Sequence, residues 1–110
     1  MITLKPLISI IVPFFNAEKY IENCVNSLVN QTMNEIEIIL VNDGSEDNSY
    51  LIAKKIVEKN KKIKIINKSH NGVSSARNVG LEIARGSFIS FMDVDDYVDR
   101  QMYEIMYQVA

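Results

Sequence analysis

Phe88-Ile89-Ser90-Phe91-Met92-Asp93-Val94-Asp95-Asp96 is an apolar run that breaks directly into three carboxylates. The apolar part reads as a buried β-strand over 87–92. Carboxylates crowded at a strand end repel each other, and burial there raises the cost of their charge. A divalent cation with oxygen ligands, often shared with a phosphate, is the usual counterweight. The stretch therefore predicts a strand whose carboxyl end faces a charged ligand.

Upstream, the chain alternates between two kinds of segment. Residues 7–12 (Leu-Ile-Ser-Ile-Ile-Val) form a nearly continuous β-branched run ending at Pro13, the pattern of a strand buried on both faces. Ile21, Cys24, Val25, Leu28 and Val29 recur at helical spacing and predict a helix over 17–31, with Asn16 as its N-cap. A second strand is expected over 36–41, stopping at Asn42-Asp43-Gly44-Ser45. Leu51, Ile52, Ile56 and Val57 mark a second helix, with Asp47, Asn48 and Ser49 near its start. A short third strand over 63–66 leads through a polar loop, 67–72, to a helix over 73–85. Val73, Ala76, Gly80, Ile83 and Ala84 share one face of that helix, and Gly86 suits its C′ position. After the acidic cluster, residues 100–109 read as a helix with Met102, Ile105, Met106 and Val109 apolar.

This β-α-β-α-β-α-β order predicts an α/β fold, a parallel sheet with helices on both faces. Right-handed crossovers leave few topologies, and a doubly wound sheet of strand order 3-2-1-4 is the expected one. Such sheets bind ligands at the carboxyl ends of their strands, near the switch point, here between strands one and four. The polar residues after strands one, two and four then converge on one edge. Phe15 offers a ring to stack on a base, or a core aromatic beside a helix start. Asp43 can accept a hydrogen bond from a ring N–H such as uracil N3, or else belongs to an Asp-Gly-Ser turn in which Ser45 or Asp47 caps the next helix. Arg77, in the first turns of the third helix, suits a phosphate; the alternative is an ion pair with Glu82 or another nearby acid. Asp93 and Asp95 point to one side if the chain stays extended, and can hold a cation directly or through water. Asp96 then points away and fixes the following turn. The alternative is a simple acidic turn. His70, the only histidine, reads as a solvated loop residue. Together these features point to a nucleotide-sugar site.

The composition fits one domain with a small core: 110 residues, 47% hydrophobic and 24% charged. A formal net charge of −2 argues against a nucleic-acid partner, which calls for a basic face. The cluster Lys54, Lys55, Lys59, Lys61, Lys62 and Lys64 reads as a solvated helix end and loop. No apolar run approaches the roughly 20 residues of a membrane span, and Met1-Ile2-Thr3-Leu4-Lys5-Pro6 lacks the apolar core of a signal peptide. Cys24 is the only cysteine, so no internal disulfide forms, and its place in an apolar stripe assigns it to the core. A cytoplasmic location is the expectation.

Several stretches, in this order and spacing, carry a resemblance. They are Ile8-Ser9-Ile10-Ile11-Val12-Pro13-Phe14-Phe15-Asn16-Ala17-Glu18-Lys19-Tyr20-Ile21, Ser27-Leu28-Val29-Asn30-Gln31-Thr32 and Glu37-Ile38-Ile39-Leu40-Val41-Asn42-Asp43-Gly44-Ser45-Glu46-Asp47-Asn48-Ser49. Two more are Asn71-Gly72-Val73-Ser74-Ser75-Ala76-Arg77-Asn78-Val79-Gly80 and Phe91-Met92-Asp93-Val94-Asp95-Asp96. Over nearly its whole length the chain resembles the family 2 glycosyltransferases, inverting enzymes with the GT-A fold. The resemblance implies that Asp43 reads the base, that Phe15 packs against it and that Arg77 lines the diphosphate. It implies that Asp93 and Asp95 engage ribose, metal (Mn²⁺ or Mg²⁺) and diphosphate, with Asp95 the more direct metal ligand. Pro13 and Glu18 match donor-pocket positions. Asn42 stands where an aspartate is common, and Phe15 lacks the hydroxyl of the usual tyrosine; neither change excludes a nucleotide.

Family members continue well past this length, and the remainder supplies the acceptor site and the general base. Residues 1–110 are therefore expected to be the donor-binding N-terminal part of the enzyme. They carry no assigned base, and negligible transfer is expected from them alone. Apolar surface left uncovered would favour self-association. The implied reaction moves a sugar from a nucleoside diphosphate sugar, UDP-linked, to a glycan or lipid-linked acceptor such as a cell-surface polysaccharide. Rival readings are a non-catalytic nucleotide-binding module or truncated remnant, and a haloacid-dehalogenase-like phosphotransferase. In the last, the Asp-x-Asp normally follows the first strand, whereas here it follows the fourth.

Overall fold

The computed structural model describes residues 5–109. Most of the N-terminal stretch read above for a signal peptide, Met1 to Leu4, lies outside the described residues. The elements are β1 (Ile8–Phe14), α1 (Ile21–Val29), β2 (Ile36–Asp43), α2 (Ser49–Glu58), β3 (Ile63–Lys68), α3 (Val73–Ile83), β4 (Phe88–Phe91) and α4 (Met102–Val109). The sheet has the order β3-β2-β1-β4, and every pairing is parallel. This is the doubly wound arrangement expected from the order of the elements.

The two central strands are buried on both faces, as their β-branched runs require. On one face Ile10, Val12, Ile38 and Leu40 meet Ile21, Cys24, Val25 and Leu28 of α1, Ala53 of α2 and Tyr103 of α4. On the other face Ile11, Ile39 and Val41 meet Ala76 of α3. Buried Gln31 ties the last helix to the first layer. Its Nε2 donates to the carbonyls of Asp99 (2.6 Å) and Ser27 (3.0 Å), and its Oε1 accepts the Tyr103 N–H (3.1 Å).

Beneath α3, at the amino end of the sheet, β2 carries a buried carboxylate. Glu37 accepts from Ser9 Oγ (2.5 Å), the Arg85 N–H (2.6 Å) and Lys64 Nζ (3.2 Å). Burial would raise its pKa, but the Ser9 hydroxyl, the Arg85 N–H and Lys64 outweigh that and hold it below the usual carboxylate range. Ser9 Oγ in turn accepts the Gly86 N–H at 2.8 Å. This corrects the C′ assignment for Gly86. The helix ends through Ala84 in an extended conformation, and the left-handed glycines are Gly44 and Gly72. Gly86 is instead a point of close approach, where a Cβ would sit 2.6 Å from the Ser9 nitrogen.

Two further expectations are corrected. Asn16 does not cap α1, which starts at Ile21 after a turn in which the Tyr20 and Ile21 N–H groups both donate to the Ala17 carbonyl. The Asn16 side chain is used elsewhere, as described below. Nor is β4 buried: Phe88, Ile89 and Phe91 are 46%, 40% and 44% exposed. This strand is outermost and pairs only with β1. Ile89 and Phe91 lie in register with Ser9 and Ile11, so they share the face on which α3 packs, yet α3 sits over β1 and β2. On the opposite face Phe88 meets Tyr107 edge-on, with ring centroids 5.6 Å apart.

Candidate functional site

The loops at the carboxyl edge of the sheet hold one another. Asn16 adopts φ 50°; its Oδ1 accepts the N–H groups of Glu46 (2.8 Å) and Asp47 (3.3 Å), and its own N–H donates to Ser45 Oγ (2.9 Å). Asp47 caps the start of α2: Oδ1 accepts the N–H (2.9 Å) and hydroxyl of Ser49, and Oδ2 accepts the Glu18 N–H (3.2 Å). Burial opposes the Asp47 charge, yet these donors outweigh it and lower the pKa. Glu18 Oε2 accepts the Asn48 N–H at 3.3 Å. Of the expected donor-pocket residues, Glu18 is thus spent on stitching two loops together and does not line the pocket described below.

Asp43 is the densest contact at this edge. It is 3% exposed. Its Oδ1 accepts from Lys68 Nζ (2.8 Å) and the Asn71 N–H (3.0 Å), and its Oδ2 from the Gly72 N–H (3.0 Å). His70 Nδ1 lies 3.0 Å from Oδ2 and 3.1 Å from the Asp43 carbonyl oxygen. Both partners are acceptors, so Nδ1 carries the proton. Burial alone would raise the Asp43 pKa, but Lys68 and the two backbone donors overcome it and lower it. Two of those donors sit at the threshold of α3, so the carboxylate also complements the helix dipole. Gly44, at φ +76°, makes the approach possible, since a Cβ there would meet the His70 nitrogen at 2.6 Å.

Pro13, Phe15, Asp43, His70, Gly72 and Val73 line a pocket of about 150 Å³. The structure therefore brings together three residues singled out in the sequence: Pro13, Phe15 and Asp43. His70, expected to be merely solvated, stacks on Phe15 with ring centroids 4.1 Å apart and planes at 29°. Sequence reasoning missed His70 and Lys68. Lys68 had a usable signal: β3 runs two residues beyond the expected 66, and the parallel register then sets Lys68 opposite Asp43.

The acidic stretch forms a tight turn in which the Asp96 N–H donates to the Asp93 carbonyl at 3.0 Å. The chain does not stay extended, which corrects the expected geometry. Asp96 does not point away: all three carboxylates, Asp93, Asp95 and Asp96, bring an oxygen within 4.8 Å of one another. They are exposed, so burial is not what strains them. Such a set of hard oxygen donors fits a divalent cation. Arg77 Nη2 is 4.0 Å from Asp93 Oδ1, and its guanidinium carbon lies 5.5 Å from the Phe91 ring centroid. The Arg77 ion pair is thus with Asp93 and not Glu82. Arg77 Nε is buried without a hydrogen-bond partner. Beneath the turn, fully buried Cys24 points its thiol at the Asp93 carbonyl, 3.9 Å away. Burial, followed by the charges of Asp96, Asp95 and Asp93, pushes its pKa up to about 12, which makes it an inert core thiol.

The depressed carboxyl groups of Glu37, Asp43 and Asp47 make the fold acid-sensitive. A group with a lowered folded pKa stabilises fully above its unfolded value, about 4, and loses that contribution as pH falls through the folded value. Denaturant midpoints should stay level from about pH 7 to 5 and fall progressively below about pH 4. A midpoint unchanged down to pH 3 would contradict the assigned hydrogen bonds.

The family model of glycosyl transferase family 2 matches residues 9–110. The uncharacterized glycosyltransferase EpsJ of Bacillus subtilis is 48% identical over 105 residues, covering 96% of this chain and 30% of EpsJ. The crystal structure of S. aureus TarS 1–349 in complex with UDP superposes with a TM-score of 0.85 at 35% identity, over 93% of this chain and 31% of that one. A TarS structure with UDP-GlcNAc gives the same score. The mannosyltransferase PcManGT from Pyrobaculum calidifontis, in complex with GDP-Man and Mn²⁺, shares the fold at a TM-score of 0.80 and 22% identity. This chain thus spans about a third of the length of these proteins. With the match running through all four strands of the sheet, the chain belongs to glycosyl transferase family 2.

Proposed function

We propose that residues 1–110 form the donor-binding part of a glycosyltransferase that moves a sugar from a UDP-linked donor to a glycan or lipid-linked acceptor, such as a cell-surface polysaccharide. The observation that carries this reading is the pairing, along one sheet edge, of the Phe15–Asp43 pocket with the acidic turn and Arg77. In this reading Phe15 stacks on the base and Pro13 shapes the wall beside it. Asp43 accepts the ring N–H, and Arg77 faces the diphosphate. Asp95 and Asp93 hold Mn²⁺ or Mg²⁺, which when bound neutralises charge developing on the leaving diphosphate. Glu18, a donor-pocket position in this reading, holds the loop before α2 through the Asn48 N–H. The UDP complexes of TarS support the choice of donor.

The general base and the acceptor site belong, in this proposal, to sequence beyond these residues, so the chain alone transfers negligibly. A cytoplasmic setting is part of the same proposal. Among the described residues no helix is long and apolar enough to cross a membrane. The bare face of β4, with Ile89 and Phe91 exposed beside an unpaired strand edge, supports self-association of the chain.

Calorimetric titration should show UDP binding that strengthens with Mn²⁺ and weakens about tenfold or more in Asp95→Asn, equivalent to about 1.4 kcal/mol. Binding indifferent both to the ion and to the substitution would remove the metal from the account. In sedimentation velocity, the 110-residue chain should show a concentration-dependent species larger than a monomer; a strictly monomeric boundary would rule self-association out.

A further inference from the structure

We infer that His70 occupies the slot meant for the base of the donor nucleotide, so that donor binding requires its imidazole to leave. The inference rests on the donor-site reading above and adds a residue that sets the affinity of that site. The imidazole resembles what a uracil ring would offer there: a flat heteroaromatic face against Phe15, 4.1 Å between centroids, and a ring nitrogen on Asp43, 3.1 Å from its carbonyl oxygen and 3.0 Å from Oδ2. A carboxylate has about four lone-pair positions; Lys68, Asn71 and Gly72 take three of those of Asp43, and the imidazole, whose Nδ1 pairs with the Asp43 carbonyl, stands 3.0 Å from Oδ2 beside the fourth. A base N–H that takes the open position on Oδ2 must therefore displace the imidazole. The Asn71 and Gly72 donors are backbone groups fixed by the path of the chain. The Lys68 side chain is 15% exposed and held on a strand end, whereas the His70 side chain is 57% exposed and can swing into solvent.

His70 is therefore a positioning residue that competes with the donor. It preserves the stack and the Asp43 hydrogen bond while the site is empty and yields both to the nucleotide. A single histidine in the chain makes this directly observable, because its imidazole proton resonances need no assignment. In the free protein the Phe15 ring current should displace them, and Phe15→Ala should remove the displacement. Saturating UDP with Mn²⁺ should move them toward solvent values. By calorimetry His70→Ala should bind UDP about three- to tenfold tighter, the range expected from losing one competing aromatic stack. A purely structural role predicts the opposite sign. UDP binding with unmoved histidine resonances, or weaker binding by His70→Ala, overturns the inference and leaves the donor site standing. Failure of UDP to bind both the protein and the variant overturns the donor-site reading, and the inference with it.

Discussion

The buried carboxylate of Asp43 is the contact on which the carboxyl edge of this sheet depends. It ends the central strand β2 and gathers a lysine from β3 and two backbone N–H groups at the threshold of α3. A buried charge left unpaired costs several kcal/mol, so the loop between β3 and α3 has one low-energy place to lie. That place carries His70 over Phe15 and closes the pocket. Gly44 is the matching constraint in the backbone, since any side chain there would collide with His70. The site is therefore held by strand ends and not by loop side chains alone.

The same sheet is strongly asymmetric. Three helices cover one face, and a single helix covers two strands of the other. The well-covered face fixes the acidic turn from below, through Cys24 and the α1 layer. The thin face leaves Phe91 half-exposed beneath Arg77. Arg77 thus spans the boundary between a packed core and an open edge, with one nitrogen near Asp93 and another buried without a hydrogen-bond partner. A group poised in this way fits a site completed by an anionic ligand, which is how the donor reading uses it.

Much of this was legible in the sequence because it follows from local periodicity and from chain connectivity. The β-branched runs placed β1 and β2, helical spacing placed α1 and α3, and the handedness of crossovers left the observed strand order. The same logic brought Pro13, Phe15 and Asp43 to one pocket. What was not legible depends on long-range contacts. Asn16 looked like a helix cap because asparagine before an apolar stripe usually is one; its side chain is claimed by Glu46 and Asp47 about thirty residues away. β4 looked buried because it is apolar, but burial depends on what packs over it. His70 carries no periodic signal at all, and its position follows from Asp43 and Gly44, residues far from it in sequence. The acidic stretch was read with the wrong path, since an Asp-x-Asp reads the same whether the chain runs on or turns.

The most direct test of this account is amide hydrogen exchange at Asn71 and Gly72, in the protein and in Asp43→Asn. If the carboxylate pins the loop, both amides are protected well beyond an exposed loop's rate. At least one of them then exchanges markedly faster in the variant, while the β1 amides keep their protection. Fast exchange of both in the unmodified protein would contradict the claim, because the loop would then be held by something other than Asp43.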